Sequence, residues 1–125
     1  MAVGANRTVL LVEDDADNRE LMAEVLESSG FGVVAAAGGA EAIALLRARP
    51  FDVVVTDVGM PGVGGLEVAR AAKAARPDLP VLVVTGYSAR DDLTAAEGRE
   101  IDRLLVKPVD PDALVGAVRD ALLGG

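Results

Sequence analysis

The chain alternates between two kinds of segment from one end to the other. Short, uninterrupted apolar runs rich in β-branched residues recur at residues 9–12, 33–36, 53–55, 81–84 and 104–106. Runs of this length and composition are typical of strands that are buried on both faces, as in a parallel sheet. The pattern therefore predicts five strands covered by helices on both sides.

The segments between these runs carry apolar residues at helical spacing. The predicted core-facing stripes are Leu21, Met22, Val25 and Leu26; Ala42, Ile43 and Leu46; Leu66, Ala69 and Ala72; and Leu114, Val115, Val118 and Leu122. A further helix is predicted within residues 88–100, where the stripe is thin and Gly98 weakens it. Strands and helices thus alternate five times, which is the (βα)5 pattern.

Residues that begin and end helices support this division. The sequence Asp17-x-x-Glu20 resembles a capping box, and Gly30 follows the end of the same segment. Asp110 precedes Pro111, which places a capping carboxylate before a proline at the first helical position. We therefore expect one α/β domain over residues 8–123 after a short tail of residues 1–7, with no output domain in this chain.

Alternating βα units imply a doubly wound parallel sheet with right-handed crossovers. Such sheets bind ligands beyond the carboxyl ends of their strands. The residues that follow the predicted strands are therefore the candidate functional residues. They are Glu13, Asp14 and Asp15 after the first, Thr56, Asp57 and Gly59 after the third, Thr85 and Gly86 after the fourth, and Lys107 and Pro108 after the fifth.

Composition excludes several classes of function. The chain has 125 residues, no Cys and no His, so it has no disulfide, thiolate zinc site, Ser-His-Asp triad or HExxH motif. Its formal charge of −8 argues against binding to a phosphate backbone. No apolar run approaches the ~20 residues of a membrane span, and no signal peptide is evident. We expect a cytoplasmic protein with neither nucleic-acid nor membrane contacts.

The acids at the predicted ligand-binding edge repel one another, so either one of them stays protonated or a cation lies among them. Two carboxylates ~4 Å apart repel by about 4 kcal/mol at an effective dielectric constant of ~20. Lys107 can offset only one charge, so a hard divalent cation such as Mg²⁺ suits the remainder. Asp57 could then attack phosphorus, with Lys107 and the hydroxyl of Thr85 stabilising the charge on the phosphoryl oxygens.

With these residues placed, the sequence resembles the receiver domain of bacterial two-component response regulators. The resemblance rests on five motifs in family order and covers nearly the whole chain. The motifs are Val12-Glu-Asp-Asp15, Thr56-Asp57-x-x-Met60-Pro61-Gly62, Gly65-Leu66, Val84-Thr85-Gly86 and Lys107-Pro108. The resemblance implies a flavodoxin-like fold with strand order 2-1-3-4-5.

The resemblance also implies a role for each residue of the edge. Asp57 corresponds to the phosphoacceptor, Thr85 to the switch hydroxyl and Lys107 to the pairing ammonium. Glu13, Asp14, Asp57 and the backbone carbonyl of Gly59 correspond to the ligands of Mg²⁺ or Mn²⁺. The peptide bond between Lys107 and Pro108 is expected to be cis. The phosphoryl donor would be a histidine kinase or a histidine phosphotransfer protein, and the chain would be a signalling phosphoacceptor and not an enzyme.

One position departs from the family pattern, and two others bear on the lifetime of an aspartyl phosphate. Leu104 stands where the family usually has the Tyr or Phe that swings inward on activation, so either this leucine repacks or Tyr87 partly replaces the ring. Gly59 and Tyr87 also occupy the positions that tune the attack of water on the aspartyl phosphate in similar proteins. We expect slow self-hydrolysis, because glycine cannot orient a water and the tyrosine could shield the phosphorus.

Two other functions are alternatives to a phosphoacceptor. A haloacid-dehalogenase-like phosphatase would use Asp15-Ala-Asp17 as its DxD motif, although Arg19 and Glu20 do not fit that family's apolar continuation. An interaction domain of the same fold would bind partners without being phosphorylated. The sequence also leaves open whether the chain is a stand-alone regulator or the receiver of a longer regulator or hybrid kinase.

Overall fold

The computed structural model describes residues 7–59, 62–86 and 101–124. Its elements are β1 (Thr8–Val12), α1 (Ala16–Ser28), β2 (Gly32–Ala36), α2 (Gly39–Ala48), β3 (Val53–Asp57), α3 (Gly65–Ala75), β4 (Val81–Thr85), β5 (Arg103–Val106) and α4 (Pro111–Gly124). All strand pairs are parallel and the order is β2-β1-β3-β4-β5. The predicted fold class and strand order are confirmed. The helix predicted within residues 88–100 lies outside the described residues.

The sheet separates two apolar cores, because successive side chains of a strand point to opposite faces. On β1, Leu10 and Val12 pack with α2 and α3, whereas Val9 and Leu11 pack with α1 and α4. The three central strands are almost completely buried. The prediction of burial on both faces is wrong for β2 and β5, whose side chains are mostly half-buried or exposed, because they are the edge strands.

The first helix differs from the sequence prediction in two details. Leu21 does not join the core stripe and is 57% exposed, while Leu26 is fully buried. The helix is capped by Asp15, whose carboxylate accepts a hydrogen bond from the Asn18 amide at 2.9 Å, and not by Asp17. The helix therefore begins two residues earlier than the capping-box pattern indicates.

The other predicted helix boundaries agree with the structure. Gly30 has φ of 100°, a value that favours glycine, and the backbone amide of Phe31 donates to the Leu26 carbonyl across this turn. Asp110 caps α4 by accepting a hydrogen bond from the Ala113 amide at 3.2 Å. No helix among the described residues is both long and apolar enough to cross a membrane.

Candidate functional site at the carboxyl edge of the sheet

The end of β1 places two acidic residues at the ligand-binding edge. The amide of Glu13 donates to the Ala36 carbonyl at 3.1 Å, so the backbone is still tied to β2 at this point. The Glu13 side chain turns inward and the residue is 1% exposed, whereas Asp14 is exposed. The Asp15 amide donates to Glu13 Oε1 at 3.2 Å, which orients the buried carboxylate.

Asp57 is the last residue of β3 and is 7% exposed. Its two carboxylate oxygens have different partners. The Gly59 amide donates to Oδ1 at 3.2 Å, and Lys107 Nζ donates to Oδ2 at 3.3 Å. A hydrogen bond from the Val58 amide to the Val84 carbonyl continues the β3–β4 ladder past Asp57. The carboxylate is therefore held at the centre of the edge by both backbone and side-chain contacts.

Gly65 packs directly against the backbone of Asp57. A Cβ atom at Gly65 would lie 2.3 Å from the Asp57 carbonyl oxygen and 2.8 Å from Val58 Cα. Gly65 is the first residue of α3. A residue without a side chain is thus needed here so that α3 can approach the strand end that carries Asp57.

Among the described residues, the carboxylates of Glu13, Asp14 and Asp57 form one cluster, in which one oxygen from each lies within 4.8 Å of the other two. Lys107 Nζ is 3.7 Å from Glu13 Oε2 in addition to its contact with Asp57. Three carboxylates and one ammonium leave two negative charges without compensation, which is the charge of one divalent cation. The donors are all hard oxygens, so the cluster fits Mg²⁺ or Mn²⁺ and not a soft metal ion.

The charge imbalance is visible in the ionisation of two groups. Burial is the largest cause that raises the pKa of Glu13 above 4.5, and the nearby carboxylates of Asp57 and Asp14 raise it further. The hydrogen bond from the Asp15 amide and the positive charge of Lys107 lower the pKa but do not cancel the increase. Burial alone would lower the pKa of Lys107, but the negative charges of Asp57 and Glu13 outweigh it, and the pKa lies above 10.5. The ammonium is therefore charged at neutral pH, while Glu13 resists ionisation.

The remaining predicted site residues lie at the ends of β4 and β5. Thr85 is fully buried, and its hydroxyl donates to the Gly86 carbonyl at 3.3 Å and not to the carboxylate of Asp57. The Lys107 amide donates to the Thr85 carbonyl at 2.8 Å, and the Lys107–Pro108 peptide bond is cis. Leu104 is half-buried and packs against the core between the sheet and helices α2 and α3. Tyr87 lies outside the described residues.

The acids of the Asp15-Ala-Asp17 motif do not join the cluster. The carboxylate of Asp15 accepts the capping hydrogen bond of α1, and Asp17 is an exposed residue of the first helical turn. A haloacid-dehalogenase-like site would need the first of these acids as its nucleophile at the strand end. The structure does not provide that arrangement.

Sequence reasoning missed one residue of the site. Arg19, in α1, donates from Nη1 to the backbone carbonyl of Glu13 at 2.8 Å. The sequence offers only the position of Arg19 one helical turn after Asp15, which does not reveal that its side chain points back towards β1. The contact ties the helix to the loop that carries Glu13 and Asp14.

Comparison with known protein families and sequences identifies close matches over most of the chain. The response regulator receiver domain family matches residues 9–119. Response regulator receiver protein CpdR of Brucella abortus is 32% identical over 117 residues, which cover 94% of this chain and 98% of CpdR. Transcriptional regulatory protein GlrR of Escherichia coli K12 is 35% identical over 114 residues, which cover 91% of this chain but only 26% of GlrR. The chain thus spans about a quarter of the length of this longer relative.

Solved structures match over a similar share of the chain. A response regulator receiver domain protein from Clostridium thermocellum superposes with a TM-score of 0.88 at 26% identity, covering 94% of this chain and 95% of the other. Response regulator protein TrrA from Thermotoga maritima, whose crystal structure contains Mg²⁺ and BeF, superposes with a TM-score of 0.83 at 32% identity, covering 93% and 99%.

Proposed function

The chain belongs to the response regulator receiver domain family, and on that premise we propose that it accepts a phosphoryl group on Asp57 and thereby switches the binding of a partner protein. The observation that carries the proposal is the environment of Asp57. Its carboxylate lies at a buried strand end, within 4.8 Å of the carboxylates of Glu13 and Asp14 and 3.3 Å from Lys107 Nζ.

We assign the metal site to the acidic cluster and the adjoining loop. Asp14 and Asp57 are the proposed direct ligands of Mg²⁺ or Mn²⁺, Glu13 acts through a water, and the carbonyl of Gly59 completes the protein ligands. A bound divalent cation would neutralise the acids and bind oxygens of the incoming phosphoryl group. The geometry supports this assignment, because one oxygen from each of Glu13, Asp14 and Asp57 lies within 4.8 Å of the others and Lys107 supplies only one positive charge beside them.

In the proposed reaction, a carboxylate oxygen of Asp57 attacks the phosphorus atom and forms an oxygen–phosphorus bond. The bond between phosphorus and the donor breaks in the same step, and its electron pair leaves with the donor's imidazole nitrogen or carboxylate oxygen. The ammonium of Lys107, already 3.3 Å from Asp57 Oδ2, pairs with the negative charge of the phosphoryl group. The hydroxyl of Thr85 is the proposed donor to that group after phosphorylation, which requires it to leave the Gly86 carbonyl.

The proposed phosphoryl donor is a histidine kinase or a histidine phosphotransfer protein, with acetyl phosphate as a small-molecule substitute. A groove of about 440 Å³ lies beside Glu13 and Lys107, and its walls include Leu21, Met22 and Val109. Leu21 is a large apolar residue that is 57% exposed at this groove, which supports contact with a protein donor. A donor that forms its phosphohistidine from ATP implies a cytoplasmic location.

Other activities of the whole protein stay predictions. Several longer relatives are named transcriptional regulatory proteins, so the expected lack of nucleic-acid binding applies at most to this domain. A 37% identical relative from Thermotoga maritima, of which the chain covers 31%, is named a cyclic di-GMP phosphodiesterase. We propose that this domain itself is a phosphoacceptor that assists its own phosphorylation and slow dephosphorylation. A half-life of seconds for the acyl phosphate would contradict the slow hydrolysis.

The test is intact-mass measurement after incubation with acetyl phosphate, with and without Mg²⁺. The wild type should gain one phosphoryl group only with the metal, and Asp57→Asn should gain none. Asp78→Asn, in an exposed acid of the turn before β4, is the matched control and should react like the wild type. Label that persists in Asp57→Asn would favour a nucleophile after β1. No label together with no Mg²⁺ binding would favour an unphosphorylated interaction domain.

A further inference from the structure

Arg19 links the first helix to the loop that carries the acidic residues. Its backbone amide donates to the Asp15 carbonyl at 2.9 Å as part of α1, and its side chain reaches back so that Nη1 donates to the Glu13 carbonyl at 2.8 Å. Only Glu13, Asp14 and Asp15 lie between β1 and α1. The backbone of Glu13 is therefore held by the Ala36 carbonyl at its amide and by Arg19 at its carbonyl.

The guanidinium of Arg19 contacts the loop through a neutral group. Within residues 7–59, 62–86 and 101–124, Arg19 forms no ion pair with a carboxylate, although three acids cluster at this edge. Lys107 instead pairs with two members of the cluster, Glu13 and Asp57. The contact made by Arg19 thus fixes the path of the backbone immediately before Asp14, the exposed member of the cluster.

We propose that Arg19 is a positioning residue of the divalent-cation site, which holds the loop so that the Asp14 carboxylate faces Asp57. This inference rests on the proposed function, because it concerns the affinity of the same site for Mg²⁺. Asp14 has no buried surroundings of its own to fix it, so its direction depends on the backbone at Glu13. A partner that holds a ligand in place typically changes metal affinity by roughly 10–100-fold when removed.

Charge and geometry predict opposite effects when Arg19 is replaced by an uncharged residue. Removal of a positive charge near a cation site lowers repulsion and should tighten Mg²⁺ binding. Loss of the hydrogen bond to the Glu13 carbonyl releases the loop and should weaken Mg²⁺ binding. Arg19→Met keeps the length and apolar stem of the side chain but cannot donate. The sign of the change in affinity therefore separates a positioning role from an electrostatic one.

The experiment is calorimetric titration of Mg²⁺ into the wild type, Arg19→Met, Arg19→Lys and Arg47→Met. Arg47 is an exposed residue in the last turn of α2, at the opposite edge of the sheet, so its variant removes the same charge away from the site. We expect Arg19→Met to bind about tenfold more weakly than the wild type. Arg19→Lys should fall in between, because it keeps the charge and can still donate hydrogen bonds, but without the planar fork. Arg47→Met should match the wild type.

Circular dichroism without Mg²⁺ shows whether each variant is folded, and Arg19→Lys provides the comparison if Arg19→Met is not. Equal or tighter binding by Arg19→Met would overturn this inference while leaving the proposed function in place. If Arg19→Met is unfolded, wild-type affinity in Arg19→Lys would overturn it instead. A wild type that binds no Mg²⁺ would overturn the proposed function, and this inference with it.

Discussion

Addition of a single methyl group at Gly65 tests whether the close packing of α3 on β3 positions Asp57, the proposed phosphoacceptor. In the structure, the new Cβ would lie 2.3 Å from the Asp57 carbonyl oxygen and 2.8 Å from Val58 Cα. Carbon and oxygen atoms ordinarily approach to about 3.3 Å. Relief of the first contact therefore requires a separation of roughly 1 Å. Both contacted atoms belong to backbone, so no side chain can rotate to make room.

The size of the effect follows from that displacement. Extra atoms in a well-packed interior typically cost about 1–3 kcal/mol of unfolding free energy. A shift of about 1 Å at a reacting group can cost roughly 10²-fold in rate. Gly65→Ala should therefore unfold more easily by about 1–3 kcal/mol and should accept the phosphoryl group from acetyl phosphate about 10–100-fold more slowly.

Urea unfolding followed by circular dichroism measures the stability, since the chain has no Trp, and intact mass against time measures the phosphorylation rate. Gly116→Ala in α4 is the matched control, because its Cβ would meet nothing within 4 Å. Alanine there should stabilise the helix by up to about 1 kcal/mol and leave the rate unchanged. A Gly65→Ala variant that reacts at the wild-type rate would refute the argument that this contact positions Asp57.

Two further predictions concern charge in the site. Glu13→Gln should stabilise the metal-free protein relative to the wild type, and the difference in unfolding free energy should be absent below pH 4.5 and grow as the pH rises through the raised pKa of Glu13, because the folded wild type then has to ionise a buried acid. Urea unfolding in the presence of a chelator across this pH range measures the difference, and a difference that is independent of pH would contradict the prediction. Lys107→Met should slow phosphorylation by acetyl phosphate by at least tenfold without weakening Mg²⁺ binding, because it removes the proposed partner of the phosphoryl group but none of the proposed metal ligands. Intact mass measures the rate and calorimetry the Mg²⁺ affinity, and an unchanged rate would contradict the role proposed for Lys107.

The parts of the fold that follow from the apolar pattern of a single segment could be predicted from the sequence. The central strands β1, β3 and β4 are buried on both faces, and their uninterrupted apolar runs reflect that directly. The edge strands β2 and β5 contain similar runs but are partly exposed, because position in the sheet order is a long-range property. Leu21 illustrates the same limit, since it has the helical spacing of a core residue but is 57% exposed, and the extent to which neighbouring elements cover α1 is a property of the tertiary structure.

The site shows a similar division. The residues that follow each strand could be predicted to meet, because parallel strands end at a common edge, and Glu13, Asp14, Asp57 and Lys107 do lie together. Contacts that depend on the detailed path of the backbone could not be predicted from the sequence. Whether Gly65 is a flexible turn residue or a tightly packed helix start is decided by the distance between α3 and β3, which no local pattern encodes.

The apolar core and the acidic edge oppose each other energetically. The ends of β1 and β3 are fixed by fully buried strands, so they hold the carboxylates of Glu13 and Asp57 together although burial and mutual repulsion raise the pKa of Glu13. Because the buried strands keep these carboxylates from moving apart, their repulsion persists in the metal-free protein. A cation bound between them would relieve that repulsion, which favours its binding. A ligand that binds only the folded state adds about 2.7 kcal/mol of stability at 100 times its dissociation constant. Mg²⁺ should accordingly raise the unfolding free energy of the whole sheet, and this stabilisation should disappear in Asp57→Asn if Asp57 is a principal ligand.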